Sequence, residues 1–177
     1  MTRTSVLVLG LGNVLCSDDG AGVNAVHRLR REYELPAGVV ALDGGTLGLD
    51  LLPLVERADR VILIDAVHDD GAPGTMVRLT GADVAPAVRE RLSPHQIGVA
   101  DLLEGAALLD HYPDEVVIVG VVPATTELGL GCTPPVHARI GELVTRTVAE
   151  LARMGYPATP RTRALVPDDD ARALELG

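Results

Sequence analysis

Apolar runs of strand length alternate along this chain with segments of helical periodicity, and this alternation constrains the possible folds more than any other feature of the sequence. The five predicted strands are residues 5–9, 38–42, 60–66, 74–79 and 115–122. The run at 60–66 is so apolar that both of its faces must be covered. Strands that alternate with helices form a mostly parallel sheet, because right-handed crossovers place helices on both of its faces. The sequence therefore predicts an α/β fold, a three-layer αβα sandwich with a mostly parallel sheet of about five strands.

Helical periodicity fills the segments between these strands and ends shortly after residue 150. The predicted helices are residues 19–33, 47–58, 84–91, 99–112 and 135–155. Pro135 is a favoured first residue of a helix and Gly155 a favoured stop. Neither a repeat nor a change of composition divides this part of the chain, so we predict a single domain over residues 1–156. Residues 157–177 are rich in proline, arginine and aspartate without an apolar period, and we expect them to form a disordered tail.

Composition indicates a globular protein without a membrane segment. Hydrophobic residues make up 47% of the 177 residues and the mean hydropathy is +0.25, which suits one sizeable core. No apolar run approaches the roughly 20 residues that cross a bilayer. The first strand begins at Ser5, so a secretory signal has no room before it. Cys16 and Cys132 do not form a CxxC pair, and we expect reduced thiols in a cytoplasmic protein.

The charge balance argues against a nucleic-acid partner. The formal net charge is −10 at pH 7, whereas contacts to phosphates need clustered lysines and arginines. The one basic cluster, Arg28-Leu29-Arg30-Arg31, falls within the first predicted helix and is interpreted as its solvated face. We therefore expect neither nucleic acid nor a membrane as a partner.

Potential metal ligands follow apolar runs in three separate segments. Asp19 comes after the first strand and a glycine turn, Asp65 ends the apolar run of the third strand, and His95 lies in a proline-containing loop. In open parallel sheets, ligands bind beyond the carboxyl ends of the strands. The first and third strands end at the same edge, which brings Asp19 and Asp65 together, and we infer that His95 reaches this edge. Two carboxylates and one imidazole would bind a divalent transition metal there.

The glycines of the first segment, Gly10 and Gly12, also raise a dinucleotide-binding interpretation. The GxGxxG fingerprint needs a third glycine that is absent here, and an acidic residue about 20 positions further on. Asp43 instead lies 31 residues after Gly12, and Asp18 and Asp19 would repel a pyrophosphate. We therefore interpret the glycines as a tight strand-to-helix turn. Asp18 is interpreted structurally, as an N-cap or a first-turn acid of the helix.

The loop Asp43-Gly44-Gly45-Thr46 follows the second predicted strand and has two interpretations. It is a glycine turn in which Asp43 bonds its own backbone, or a wall of the metal crevice with Asp43 as an auxiliary carboxylate. A covalent hydrolase finds no support, because the chain has no Gly-x-Ser-x-Gly elbow and neither Cys16 nor Cys132 lies in a nucleophile motif.

Together these segments resemble the hydrogenase maturation endopeptidases, which finish the large subunit of nickel–iron hydrogenases. The resemblance rests on six stretches that occur in the order of the family: LVLGLGNVLCSDDGAGV, LDGGTLGLDLL, VILIDAV, GAPGTM, SPHQIGVADLL and VIVGVVP. They extend over nearly the whole predicted domain. The match is therefore specific rather than a single shared motif.

The resemblance implies a nickel site formed by Asp19, Asp65 and His95. Relatives use a carboxylate in the first segment, an aspartate after the third strand and the histidine of the SPH loop. Several of them carry glutamate at the position of Asp19, so Asp18 stays an alternative direct ligand. Other divalent transition metals would suit the same ligands.

The resemblance also implies an activity, which is removal of a short C-terminal peptide from the large-subunit precursor once nickel has been inserted. Nickel held by the precursor would be the recognition signal, and three protein ligands leave positions open for it. Asp43 and Asp65 are the candidate general bases. The alternative is that the metal itself activates the water or polarises the scissile carbonyl.

Two other classes of function are alternatives. Peptidyl-tRNA hydrolases also begin with a strand and Gly-Leu-Gly-Asn on a similar fold. They continue with Pro-Gly and an Arg-His-Asn stretch, whereas Asn13 is followed here by Val-Leu-Cys-Ser-Asp-Asp. The net charge of −10 also opposes tRNA binding. A non-catalytic metal- or nucleotide-binding module is the second alternative.

Overall fold

Seven strands are present in the computed structural model, which describes residues 4–86 and 97–162. They are β1 Thr4–Leu11, β2 Tyr33–Glu34, β3 Val39–Gly45, β4 Ala58–Ala66, β5 Met76–Thr80, β6 Glu115–Val121 and β7 Thr159–Pro160. All except β2 and β7 form one sheet in the order β3-β1-β4-β6-β5. The first four of these strands are parallel, and β5 runs antiparallel to β6 at one edge. The predicted five-stranded, mostly parallel sheet is confirmed.

Helices cover both faces of this sheet. They are α1 Ala21–Glu32, α2 Leu52–Val55, α3 Ile97–Leu108, α4 Pro134–His137 and α5 Ile140–Arg153, with 3₁₀ turns at Ser17–Gly20, Gly48–Leu51 and Gly81–Asp83. Even-numbered residues of β1 and β4, such as Val8 and Ile62, share a core with α1 and α5. Odd-numbered ones, such as Leu9 and Leu63, pack with α2 and α3. This alternation follows from the two-residue period of a strand and gives the predicted three layers.

Four of the predicted helices differ in extent from the observed ones. The first begins at Ala21 after the 3₁₀ turn, the segment predicted as a helix over 47–58 is a 3₁₀ turn followed by α2, and the last predicted helix is divided into α4 and α5. The helix predicted over residues 99–112 is α3, Ile97–Leu108. The predicted helix at 84–91 and the loop with His95 fall wholly or partly outside the described residues. No helix in the described part of the chain is long and apolar enough to cross a membrane.

The start of the predicted tail is bound to the domain. Strand β7 pairs antiparallel with β2, so that Pro160 lies opposite Tyr33. The backbone N–H of Arg161 donates to the carbonyl of Glu32 at 2.7 Å. Residues 159–161 are therefore hydrogen-bonded to the segment at the end of α1 and belong to the ordered domain. Residues 163–177, for which disorder is also expected, lie outside the described ranges. Two-residue strands have no period to detect, which is why the sequence did not predict this pair.

Candidate metal centre

Among the described residues, three fully buried carboxylates lie at the carboxyl edge of the sheet, and two of them, Asp19 and Asp65, are predicted metal ligands. Asp19 belongs to the 3₁₀ turn Ser17–Gly20, which follows β1 and contacts β4. Asp65 is the penultimate residue of β4. Both side chains are 0% exposed. The structure thus places these two predicted ligands on adjacent elements at one edge, as the parallel arrangement of β1 and β4 predicts.

Two glycines allow this close approach. A Cβ atom on Gly22 would lie 2.0 Å from the carbonyl oxygen of Ile64 and 2.5 Å from that of Leu11, so the first turn of α1 rests directly on the strand ends. Gly12 has a φ of +113°, and a Cβ atom there would lie 1.7 Å from the carbonyl oxygen of Asp19. The glycine turn predicted from the sequence is therefore present, and its physical reason is backbone contact with no space for a side chain.

The hydrogen bonds of Asp19 leave one oxygen available. Its Oδ2 accepts a hydrogen bond from the backbone N–H of Asn13 at 2.7 Å. Within the described residues its Oδ1 is buried and receives no hydrogen bond. Burying a carboxylate that is neither paired nor hydrogen-bonded costs roughly several kcal/mol of folding free energy. Such a group therefore persists only when a proton, a cation or another hydrogen-bond donor offsets its charge. Such an offsetting group would lie at Oδ1 of Asp19.

Asp65 is held in place by its own backbone. Its Oδ1 accepts a hydrogen bond from the N–H of Ala66 at 2.7 Å. By strand alternation Asp65 shares the face of Leu63 and Val67, which pack on the α2 and α3 side of the sheet. Within residues 4–86 and 97–162 no three His, Cys, Asp or Glu side chains form a complete metal-binding group. The predicted third ligand, His95, lies outside these ranges.

Asp18, the neighbour of Asp19, is a structural anchor for a distant loop. Its Oδ2 accepts hydrogen bonds from the N–H groups of Ala124 at 2.8 Å and Thr125 at 3.3 Å, and from the hydroxyl of Thr133 at 2.8 Å. Its Oδ1 accepts a fourth, from the N–H of Thr133, at 2.6 Å. The interpretation as an N-cap is wrong, because neither the 3₁₀ turn nor α1 has a side-chain cap. Both oxygens of Asp18 are occupied by this loop.

The structure places Asp43 away from the two buried carboxylates. Asp43 lies on β3, opposite Gly10, and shares the α1 face with Ala41. Its Oδ2 is 2.8 Å from Nε2 of His27 on α1, and both side chains are partly exposed. Asp43 and Asp65 thus lie on opposite faces of the sheet and on opposite sides of β1. The crevice wall predicted from the loop at 43–46 does not include the side chain of Asp43.

Sequence reasoning missed two residues that position the site. The backbone of Asn13 binds Asp19, and Thr133 binds Asp18 from 115 residues further along the chain. The sequence marks Thr133 as the residue before a proline-initiated helix, but no local pattern predicts its hydrogen bond to Asp18.

Burial raises the pKa of the Cys132 thiol, so this cysteine stays protonated at neutral pH and is a poor nucleophile.

Comparison with known proteins identifies the family of this site. The family model for hydrogenase maturation proteases matches residues 23–150. The hydrogenase 2 maturation protease of Escherichia coli strain K12 is 40% identical over 157 residues, which are 88% of this chain and 96% of that protein. The solved structure of the hydrogenase maturating endopeptidase HybD from E. coli superposes with a TM-score of 0.85 at 38% identity, and the match covers 89% of this chain and 98% of HybD.

A more distant solved structure shows the same fold. The nickel–iron hydrogenase maturation protease HybD from Thermococcus kodakarensis superposes with a TM-score of 0.67 at 30% identity, over 84% of this chain and 99% of its own. These similarities support the protease interpretation and not the peptidyl-tRNA hydrolase or the non-catalytic module. The chain belongs to the hydrogenase maturation protease family, whose members are endopeptidases.

Proposed function

We propose that this chain removes a C-terminal peptide from the nickel-loaded large-subunit precursor of a nickel–iron hydrogenase. Family membership supports the reaction class. The observation that supports a metal at this site concerns Oδ1 of Asp19. This buried carboxylate oxygen accepts no hydrogen bond from the described residues. A cation at this edge of the sheet would offset its charge. Carboxylate oxygens from two adjacent elements suit a divalent metal.

In this proposal Asp19, Asp65 and His95 bind nickel that the precursor carries. Asp19 is preferred over Asp18, because all the hydrogen bonds of Asp18 tie it to the loop at 124–133. Three protein ligands without a thiolate form a site of modest affinity that donors from the precursor complete. Nickel is therefore part of the substrate, and other divalent transition metals would occupy the same ligands in its absence.

The peptide bond is hydrolysed by a water molecule whose proton a carboxylate accepts. When present, nickel supplies Lewis-acid polarisation of the scissile carbonyl. Asp65 is the first candidate base, because it lies at the same edge as Asp19 and its orientation is set by the N–H of Ala66. It would take the proton of the water and return it to the leaving amine nitrogen. Asp43 has no part in this step, because it lies on the opposite face of the sheet, beside His27.

We also propose that the reaction takes place in the cytoplasm. Cys16 and Cys132 are both free thiols, and Cys16 is buried. Free thiols persist in a reducing compartment. The absence of nucleic acid and membrane partners stays a prediction from the charge of −10 and from the lack of a long apolar run.

The test compares one precursor in two states. Purified large-subunit precursor is prepared with and without nickel, verified by metal analysis, and mixed with this protein. We expect mass spectrometry to show a shortened C-terminus only for the nickel-containing form, and a chelator added before nickel insertion to prevent cleavage. Efficient cleavage of nickel-free precursor would overturn the role of substrate nickel. No cleavage of either form would contradict the proposed substrate.

A further inference from the structure

Exposed leucines from two loops lie beside the candidate metal centre. Leu128 and Leu130 are 86% and 87% exposed, and Leu15 is 55% exposed. An isolated exposed leucine is ordinary on a protein surface, whereas several together mark an interaction surface. We call Leu15, Leu128 and Leu130 the leucine ridge. The loop at 13–16 follows β1 and the loop at 122–133 follows β6, so the ridge lies at the carboxyl edge of the sheet.

The backbone holds the ridge in a fixed arrangement. The N–H of Gly129, between the two most exposed leucines, donates to the carbonyl of Leu15 at 2.9 Å. The N–H of Ser17 donates to the carbonyl of Gly129 at 2.8 Å, and its hydroxyl donates to the carbonyl of Glu127 at 3.1 Å. The four hydrogen bonds to Asp18 fix the ends of the same loop. The leucines are thus presented to solvent by a rigid framework, which lowers the entropic cost of binding a partner.

The ridge is continuous with the ligand Asp19. Leu15 is followed by Cys16 and then by the 3₁₀ turn that contains Asp19. Cys16 pairs with Gly129 in an isolated bridge, so the second loop lies directly against this turn. A macromolecule whose metal reaches Asp19 must approach across these loops. The occupant of the ridge is for this reason the same molecule that delivers the metal.

A cleft with one net positive charge lies beside the ridge. It has a volume of about 500 Å³ and lies between α1 and the residues that follow Leu130. Its lining includes two arginines, Arg28 and Arg31, and one glutamate, Glu32, together with Cys132 and His137. Two arginines of the basic cluster, which is interpreted from the sequence as a solvated helix face, line this cleft. Arg28 is paired with Glu32 at 2.7 Å, and Arg31 adds a further positive charge. On a chain of net charge −10, this is a local site for an acidic group.

We propose that the leucine ridge and the adjoining cleft form one docking surface for the hydrogenase precursor, outside the metal centre itself. The ridge takes an apolar segment of the precursor and the cleft takes a carboxylate next to it. A second copy of this chain is a poorer occupant, because two chains of charge −10 repel each other. This proposal rests on the proposed function, and it predicts that affinity for the precursor is set partly by residues that touch neither nickel nor the cleaved bond.

The first test changes the ridge and leaves the metal ligands intact. The double variant L128D/L130D is compared with Leu108→Asp, because Leu108 is also 86% exposed but lies at the end of α3, at the opposite edge of the sheet. We expect KM for nickel-loaded precursor to rise at least 10-fold in the double variant with kcat within about twofold, and no change in the control. The uncharged variant L128S/L130S should show the same direction, and L128M/L130M should restore the affinity.

The second test reverses one charge in the cleft. Arg31→Glu should raise KM for the precursor about threefold or more, whereas Arg57→Glu, an equal charge change on an exposed residue before β4, should not. Nickel titration without precursor should give the same affinity for all variants. An unchanged KM in L128D/L130D, or equal increases in a variant and its control, would overturn the docking surface. A wild-type dimer that the ridge variant dissociates without a change in KM would overturn it too.

These outcomes are distinct from failure of the proposed function. If the wild-type protein does not cleave the precursor, the substrate assignment fails. If the wild-type protein cleaves it and the ridge variants do so with unchanged KM, the docking surface alone fails.

Discussion

At the scale of single residues, Asp18 and Asp19 are adjacent, identical side chains with different hydrogen-bonding environments. Both are fully buried in the same 3₁₀ turn. Asp18 accepts four hydrogen bonds from one loop, and Asp19 accepts one, from Asn13. Saturated hydrogen bonding stabilises a carboxylate in a structural role, whereas an available oxygen suits a metal ligand. The roles that we propose, structural for Asp18 and metal-binding for Asp19, rest on the number of donors that surround each side chain.

Replacing Asp19 with Asn tests this division. The amide oxygen of Asn keeps an acceptor for the N–H of Asn13, but the charge and the second carboxylate oxygen are lost. We expect the affinity for Ni²⁺, measured by isothermal titration calorimetry, to fall at least 10-fold, and a similar loss in Asp65→Asn and His95→Ala. Asp50→Asn, which removes an exposed carboxylate, should leave the affinity unchanged. Full Ni²⁺ affinity in Asp19→Asn would remove this carboxylate from the metal site.

At the scale of secondary-structure elements, the contact of α1 with β1 and β4 decides the geometry of the centre. The helix begins directly over the strand ends, and Gly22 touches the carbonyl groups of both strands. Gly10 makes the reciprocal contact, because a Cβ atom there would lie 2.4 Å from the carbonyl oxygen of Gly22. This close packing brings the 3₁₀ turn with Asp19 against β4, the strand that contains Asp65.

Substituting alanine at Gly22 should separate these elements. The added methyl group has no space, and we expect the free energy of unfolding to fall by about 1–3 kcal/mol, with weaker Ni²⁺ binding as α1 moves outward. Gly105→Ala is the matched control. Gly105 lies within α3, and a Cβ atom there would lie 3.6 Å from its nearest neighbour, the side chain of Leu52, which is an ordinary contact distance. There the loss of glycine should stabilise the helix by up to about 1 kcal/mol. Urea unfolding measures both, and equal effects would contradict the close contact at Gly22.

At the scale of the whole molecule, an ionic network joins the sheet to the last helix. Glu150 of α5 is nearly buried and accepts hydrogen bonds from Arg78 of the edge strand β5, at 2.5 and 3.1 Å, and from Arg153 at 2.7 Å. Arg153 also donates to Glu115 of β6 at 2.5 Å. The network therefore connects the antiparallel edge, the neighbouring strand and α5, three elements that are distant in sequence.

This network predicts a dependence of stability on pH. The hydrogen bonds from Arg78 and Arg153, with Arg78 as the larger cause, lower the pKa of Glu150 below its ordinary value of 4.5. A carboxylate with a lowered folded-state pKa stabilises the protein above its ordinary pKa, and this contribution is lost as the pH falls below that value. Glu150→Gln should thus reduce the free energy of unfolding at pH 7 by about 1–3 kcal/mol.

The difference between Glu150→Gln and the wild type should shrink as the pH is lowered below 4.5. Glu142→Gln is the control, because Glu142 also binds two arginines, Arg139 and Arg146, but on the exposed surface of α5. Exposed ion pairs contribute less than about 1 kcal/mol, so this variant should lose less. Urea unfolding at several pH values measures both variants. A constant deficit of Glu150→Gln at all pH values would show that packing rather than ionisation is responsible.

The sequence by itself determined the layers of this protein and the edge of the sheet at which two of the proposed site residues lie. Strand and helix periods are local, and parallel strands must end at the same edge, so the sheet, Asp19 and Asp65 follow from the order of the elements alone. Only the tertiary structure decided the contacts between residues far apart in the chain. Asp18 binds a loop more than 100 residues away, Asp43 faces His27 instead of Asp65, and residues 159–160 pair with β2. Such contacts depend on which elements pack side by side and which loop closes over a side chain, and the local strand and helix periods encode neither.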